Sequence, residues 1–205
     1  MNLPTKITVA RLILIPIFIA FYCMQNLWEY MYLFTWLTFV VAAMTDFIDG
    51  HLARKLHLVT NLGKFLDPIA DKVLVVAGLF IIVHGNYLPI PYLGLVCSVI
   101  IMARELIIGL FRQLAALQNF VLAADKLGKW KTATTLVAMG TLFIVPFQHI
   151  DNIFVRILQW IGSILFVVAT ILTIISGINY IVKNKMILQD QKEAKASSDE
   201  TENNK

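Results

Sequence analysis

Residues 157–182 read ILQWIGSILFVVATILTIISGINYIV, without one charged side chain. At about 1.5 Å per residue, a helix of that length exceeds the roughly 30 Å hydrocarbon core of a bilayer. Outward from this stretch, apolar runs of spanning length recur along the chain. They cover about Ile7 to Met24, Glu29 to Arg54, Asn61 to Val83, Tyr92 to Gln118, Lys131 to Pro146 and Asn152 to Val182. Between the third and fourth lies His84-Gly85-Asn86-Tyr87-Leu88-Pro89-Ile90-Pro91, a segment of turn formers. The pattern predicts an all-α integral membrane protein, a bundle of six transmembrane helices.

Composition agrees. Of 205 residues 59% are hydrophobic and 15% charged, with a mean hydropathy of +0.76. Soluble domains hold about 45–50% apolar and about 25% charged residues. A soluble enzyme, a disordered chain and a nucleic-acid-binding domain are thereby excluded. Cys23 and Cys97 both sit in apolar runs and read as small core hydrophobes rather than a disulfide. The first run follows Lys6 and Arg11 as a signal peptide would. However, Phe21-Tyr22-Cys23 lacks the small residues of a cleavage site, so this helix is expected to be retained. Residues 1–183 form the expected membrane domain. Residues 184–205, polar and free of aromatics, form an expected solvated tail.

Six spans put both termini on one side. Lys6, Arg11, Arg54, Lys55, Lys64, Arg112, Lys126, Lys129, Lys131 and the tail lysines fall on that side, whereas the opposite loops have only Arg156 nearby. Basic residues mark the cytoplasmic face, so both termini are expected there, in a multi-pass protein of the cell membrane.

Ionisable residues in or beside apolar spans are costly, and each invites a functional reading. The second run ends Thr45-Asp46-Phe47-Ile48-Asp49-Gly50-His51-Leu52-Ala53-Arg54, and the third begins Gly63-Lys64-Phe65-Leu66-Asp67-Pro68-Ile69-Ala70-Asp71-Lys72. Asp46 and Asp49 share a helix face, as do Gly63, Asp67 and Asp71. A short loop makes the two helices antiparallel neighbours, so both faces point into one cytoplasm-facing polar cavity, the expected active site. Like charges so close need compensation. Lys64, Lys72 and Arg54 are at hand, and an all-oxygen cluster also suits hard divalent ions. Two Mg²⁺ or Mn²⁺ ions bridged by the four aspartates would serve displacement at phosphorus. Gly50, Ala53 and Gly63 leave room for a ligand near the backbone. Pro68 is expected to free a carbonyl and kink its helix beside the site.

The pattern Asp46-x-x-Asp49-Gly50-x-x-Ala53-Arg54, eight residues, then Gly63-x-x-x-Asp67-x-x-x-Asp71 resembles the signature of the CDP-alcohol phosphatidyltransferase family, at all eight positions. The likeness extends to the six-helix pattern and so to nearly the whole chain except the tail. It implies that an alcohol attacks the lipid-linked phosphorus of CDP-diacylglycerol and that CMP leaves. It further implies two divalent ions on Asp46, Asp49, Asp67 and Asp71, with Asp71 also taking the hydroxyl proton. Gly50, Ala53 and Arg54 would lie along the cytidine diphosphate, with Asp46, Asp49 and Gly63 around it. The family also implies a homodimer among membrane lipids.

The acceptor is a separate question. Asn2-Leu3-Pro4-Thr5-Lys6-Ile7-Thr8-x-x-Arg11, Leu66-Asp67-Pro68-Ile69-Ala70-Asp71-Lys72, Ala103-Arg104-Glu105 and Gly128-Lys129-Trp130-Lys131-Thr132 resemble the family's bacterial branch that takes glycerol 3-phosphate. By that match Thr8 contacts the CDP-diacylglycerol. A phosphorylated acceptor needs fixed cations, and Arg112, Lys126, Lys129 and Lys131 are the candidates. Other acceptors, namely serine, inositol phosphate, glycerol or phosphatidylglycerol, would use the same aspartates.

Plainer readings stand beside these. Lys126, Lys129 and Lys131 serve equally well as topology signals and headgroup contacts. Arg104 and Glu105, deep in the fourth run, read as an internal pair or as partners of another helix. Lys72, one residue after Asp71, should face another side of its helix and snorkel or pair with a carboxylate. Lys6 and Arg11 read as holding the first helix at the interface. His51 and His57 read as solvated. A divalent-cation transporter is the competing function. Transporters commonly show paired broken helices in two repeated halves, whereas here the acids cluster in one hairpin, with no matching acidic pair in the last three runs.

Overall fold

The computed structural model describes the backbone at residues 3–28, 30–56, 61–117, 126–144 and 153–183. Within these, side chains are described except at 3–5, 46–56, 61–65, 67–68, 114, 116–117, 126–127 and 129. Six helices follow one another: α1 (Leu3–Met24), α2 (Met31–Leu56), α3 (Asn61–His84), α4 (Leu93–Leu117), α5 (Lys126–Phe143) and α6 (Ile153–Lys183). These match the apolar runs closely, except that α5 begins more than a turn before Lys131. α3 continues as a helix through position 68. α1, α4 and α6 are long and apolar enough to cross a membrane, and α2 carries a shorter apolar stretch, Met31–Thr45.

α1 packs along α2 and α3, α5 along α6 and α2, and α4 bridges α3 and α6. Side-chain contacts fix which helix ends lie together. Tyr22 near the end of α1 bonds His84 at the end of α3, with Oη–Nδ1 2.7 Å. Trp36 Nε1 of early α2 donates to the Gly140 carbonyl late in α5, at 3.0 Å. Gln159 Nε2 of early α6 donates to the Tyr87 carbonyl in the turn after α3, at 2.9 Å. Helices therefore alternate in direction.

At this end the core is aromatic. Phe143 packs on Phe18, Phe39 and Tyr87, with ring centroids 5.6, 4.9 and 5.6 Å away, and Phe18 lies 5.5 Å from Phe39. The same core cluster continues along the bundle through Leu74, Ile82, Ile101, Met139, Leu142 and Phe166. Burial raises the Tyr87 hydroxyl pKa above the ordinary tyrosine value.

The α5–α6 pair shows how polar residues are accommodated. The buried stripe of α6 includes Gly162, Ser163, Ala169, Thr170, Thr173, Ser176 and Gly177. Small residues let helix backbones approach where apolar burial alone gives little drive to associate. A Cβ at Gly162 would stand 2.9 Å from Leu142 Cδ2 and 3.3 Å from the Leu142 nitrogen. The hydroxyls of Ser163, Thr170 and Thr173 donate to the carbonyl four residues earlier, at 2.6, 2.8 and 2.7 Å. Such back-bonding satisfies a hydroxyl within its own helix.

Candidate active site

The opposite end of the bundle is charged. On α1 the buried residues Thr8, Arg11, Ile15 and Phe18 recur at spacings of three and four, one helical stripe. That stripe turns Arg11 inward, and the Arg11 side chain is 0% exposed. Its Nη1 donates to Asp71 Oδ1 of α3 at 2.6 Å, while half of the Asp71 side chain remains exposed. Arg11 thus has a larger part than holding the first helix at the interface, because a guanidinium held inside the bundle needs a carboxylate there.

Asp71 stands in the wall of a cavity of about 280 Å³ between α3, α4 and α5. Lys72, Arg104, Glu105, Arg112, Lys131 and Thr132 line it with polar atoms, and Val75, Leu79 and Met102 form its apolar floor. Lys72 faces another side of α3 than Asp71 does, since its Nζ reaches α4, where a Cβ on Gly109 would be 2.8 Å away, while Asp71 turns to Arg11 of α1. Among the described residues nothing lies within 4 Å of where a Cβ on Gly128 of the α5 wall would be.

Two contacts tie α4 to its neighbours. Lys131 of α5, 4% exposed, forms an ion pair with Glu105 of α4, itself 33% exposed. Arg104 Nη2 donates to Ser176 Oγ of α6 at 2.8 Å. The Arg104 chain crosses Gly177, where a Cβ would meet its Cγ at 3.1 Å. Arg104 and Glu105 therefore do partner other helices, as their depth in the fourth run leads one to expect. Arg112 lies over the Tyr180 ring, 5.3 Å from its centroid.

Of the aspartates, Asp46 and Asp49 lie in α2, and Asp67 lies one turn before Asp71 in α3. Their side chains, with those of Gly50, Ala53, Arg54, His51, Gly63, Lys126 and Lys129, fall outside the described residues. His57 lies wholly outside them. The cavity brings together Asp71, Arg112 and Lys131, and Thr8 is buried three residues before the arginine that holds Asp71. The sequence reading gave Arg11 only an interfacial part and Lys72 only that of a nearby cation, and it did not pair Arg11 with Asp71. For Arg11 the signal was available, since a charge in register with Ile15 and Phe18 points to the core rather than to the interface. Both cysteines are free; Cys97 is buried as a core hydrophobe, whereas Cys23, expected to be one, is exposed near the end of α1.

A larger cavity of about 480 Å³ lies at the other end, lined by Ile82, Asn86, Pro89, Pro91 and Tyr92. It contains none of the residues picked out for chemistry. The aspartate end is therefore the candidate active site. A carboxylate faces several fixed cations there, across a space suited to a small anion beside an apolar floor.

Comparison with known proteins bears on the whole bundle. The sequence profile of the CDP-alcohol phosphatidyltransferase family matches residues 1–175. The CDP-diacylglycerol–glycerol-3-phosphate 3-phosphatidyltransferase of Bacillus subtilis is 37% identical over 195 residues, which covers 89% of this chain and 95% of the relative. The enzyme of the same name in Haemophilus influenzae is 38% identical over 195 residues, covering 92% and 96%. That of Shigella flexneri is 35% identical over 195 residues, covering 93% and 98%. With the match running from α1 into α6 and covering the residues that line the charged cavity, the chain belongs to the CDP-alcohol phosphatidyltransferase family.

Proposed function

We propose that this chain transfers the phosphatidyl group of CDP-diacylglycerol to glycerol 3-phosphate, giving phosphatidylglycerophosphate and CMP. The observation that carries the reading is the charged cavity, whose wall holds Asp71, fixed by Arg11, together with Lys72, Arg112 and Lys131. The relatives bear the name of that reaction.

The acceptor hydroxyl oxygen forms a bond to the lipid-linked phosphorus as the bond from phosphorus to the CMP oxygen breaks. Asp71 receives the hydroxyl proton. Arg112, Lys126, Lys129 and Lys131 hold the acceptor phosphate, Arg by paired hydrogen bonds and Lys as a point charge. Thr8, Asp46, Asp49, Gly50, Ala53, Arg54 and Gly63 hold the CDP-diacylglycerol head. The apolar floor at Val75, Leu79 and Met102 suits a lipid-linked substrate. Burial of Lys131 against Glu105 leaves it little freedom, so its charge is already placed when substrate arrives.

Asp46, Asp49, Asp67 and Asp71 would hold a pair of divalent ions, Mg²⁺ or Mn²⁺. Carboxylate oxygens are the donors such ions prefer, and the half-exposed Asp71 carboxylate at the cavity wall fits that part. When bound, the ions supply charge to the phosphate oxygens and to the leaving group.

In this reading all six helices cross the cell membrane, with both termini and the cavity on the cytoplasmic side. Residues 1–183 form the catalytic unit, residues 184–205 a solvated tail, and the enzyme works as a homodimer among membrane lipids. The test is turnover in detergent, with CDP-diacylglycerol and glycerol 3-phosphate, with and without Mg²⁺ or Mn²⁺. The expected result is metal-dependent CMP release with phosphatidylglycerophosphate as product. Release only with serine, inositol phosphate or another alcohol would discard the acceptor and keep the chemistry. No release with any alcohol, from folded protein, would discard both.

A further inference from the structure

We propose that Arg11 is a positioning residue for this reaction, which holds the Asp71 carboxylate in one orientation and competes with divalent cations for its charge. The inference rests on the reading of Asp71 as a metal ligand given above. Arg11 brings a guanidinium into the bundle. An arginine near a helix end ordinarily extends toward the interface. Arg11 instead lies fully inside, on the stripe that continues into Ile15 and Phe18, and meets a residue 60 positions away on another helix.

The geometry gives the contact two consequences. The 2.6 Å bond from Nη1 to Oδ1 is short and charge-assisted, which removes rotational freedom from a carboxylate that is otherwise half exposed at the cavity wall. The same cation draws on the negative charge that a divalent ion would use. Loss of Arg11 therefore acts in opposite directions on two quantities. Turnover falls because the carboxylate loosens, and ion binding tightens because a like charge is gone.

The experiment uses the full chain in detergent, with Mn²⁺ as the probe, followed by its free-ion EPR signal without either substrate. CMP release is measured in parallel. Arg11→Met is expected to bind Mn²⁺ about three- to tenfold more tightly, with kcat lowered about tenfold and the KM for glycerol 3-phosphate unchanged. Arg11→Lys should fall between wild type and Arg11→Met in both. A purely structural arginine predicts that Mn²⁺ affinity, kcat and thermal stability fall together. That outcome, or unchanged Mn²⁺ affinity in Arg11→Met, overturns the proposal. If Arg11→Met does not fold, Arg11→Lys decides, since it keeps the charge and loses the planar fork. It must lower kcat with Mn²⁺ affinity held within about twofold, and a parallel fall overturns the proposal. Asp71→Asn serves as the reference. Unchanged Mn²⁺ binding there would overturn the reading of Asp71 itself, and the proposal with it, without Arg11 being touched.

Discussion

The two ends of this bundle solve one packing problem by different means. At the end near Phe143 four aromatic rings interlock, and Trp36 and Gln159 satisfy backbone carbonyls with neutral donors. At the other end the helices meet through charge, as Arg11 with Asp71, Lys131 with Glu105 and Arg104 with Ser176. Each contact joins a helix to another helix or, at Tyr87, to the turn after α3, so both ends are cross-linked. Charge is the costlier cross-link, because each ion must be taken from water. It is concentrated where a phosphate or a metal would need it, and the aromatic end shows that the fold had a cheaper alternative.

The contrast predicts that substitutions at one end remove chemistry and at the other remove stability. The largest effect belongs to Asp71→Asn, which should lower CMP release by about 10³-fold or more while the protein stays monodisperse and inserted. A rate near wild type would remove Asp71 from the role of base. At the aromatic end, Phe143→Ala opens a void among Phe18, Phe39 and Tyr87. It should cost about 3 kcal/mol in a reversible unfolding assay, with substrate KM values unchanged in the folded fraction. A KM shift there would mean that the two ends are coupled.

The helices were legible because each apolar run is long and bounded by charges or turn formers. The start of α5 lies before its apolar run, because the first turn carries Lys126 and Lys129 and so falls outside a hydropathy signal. A helix accommodates such lysines at its start when one of them has a partner, as Lys131 has in Glu105. The aspartate motif was legible from spacing alone. The Arg11–Asp71 contact was not, since it joins residues 60 apart and depends on how α1 is rotated against α3. For Lys72 helical period places the Cβ, whereas the destination of its Nζ beside Gly109 depends on how α3 packs against α4.

The Lys131–Glu105 pair lies between the two regimes, since it is both support and site. Glu105→Gln leaves Lys131 with an amide in place of a charge. Solvent screens part of the loss because Glu105 is a third exposed, so the stability cost should be about 1–2 kcal/mol. If Lys131 also binds acceptor phosphate, the KM for glycerol 3-phosphate should change as well, while that for CDP-diacylglycerol stays fixed. Equal shifts in both would reduce the pair to a support. Lys131→Met should raise the acceptor KM about tenfold or more, measured at saturating CDP-diacylglycerol.

The smallest effect is expected at Gly109, where the two descriptions can be separated most finely. A methyl group there would stand 2.8 Å from Lys72 Nζ, yet the obstacle is the far end of a flexible chain and not backbone. Lys72 can swing aside, so Gly109→Ala should change stability by less than about 1 kcal/mol, and Ala is the better helix former. If the notch serves only packing, kinetics are untouched as well. If it places the Lys72 ammonium toward the cavity that Asp71, Arg112 and Lys131 share, the displaced charge should raise the acceptor KM about two- to threefold at constant kcat. Steady-state kinetics beside a melting curve resolve the choice. A KM shift without a stability change adds Lys72 to the acceptor side of the site, and its absence returns Lys72 to the wall.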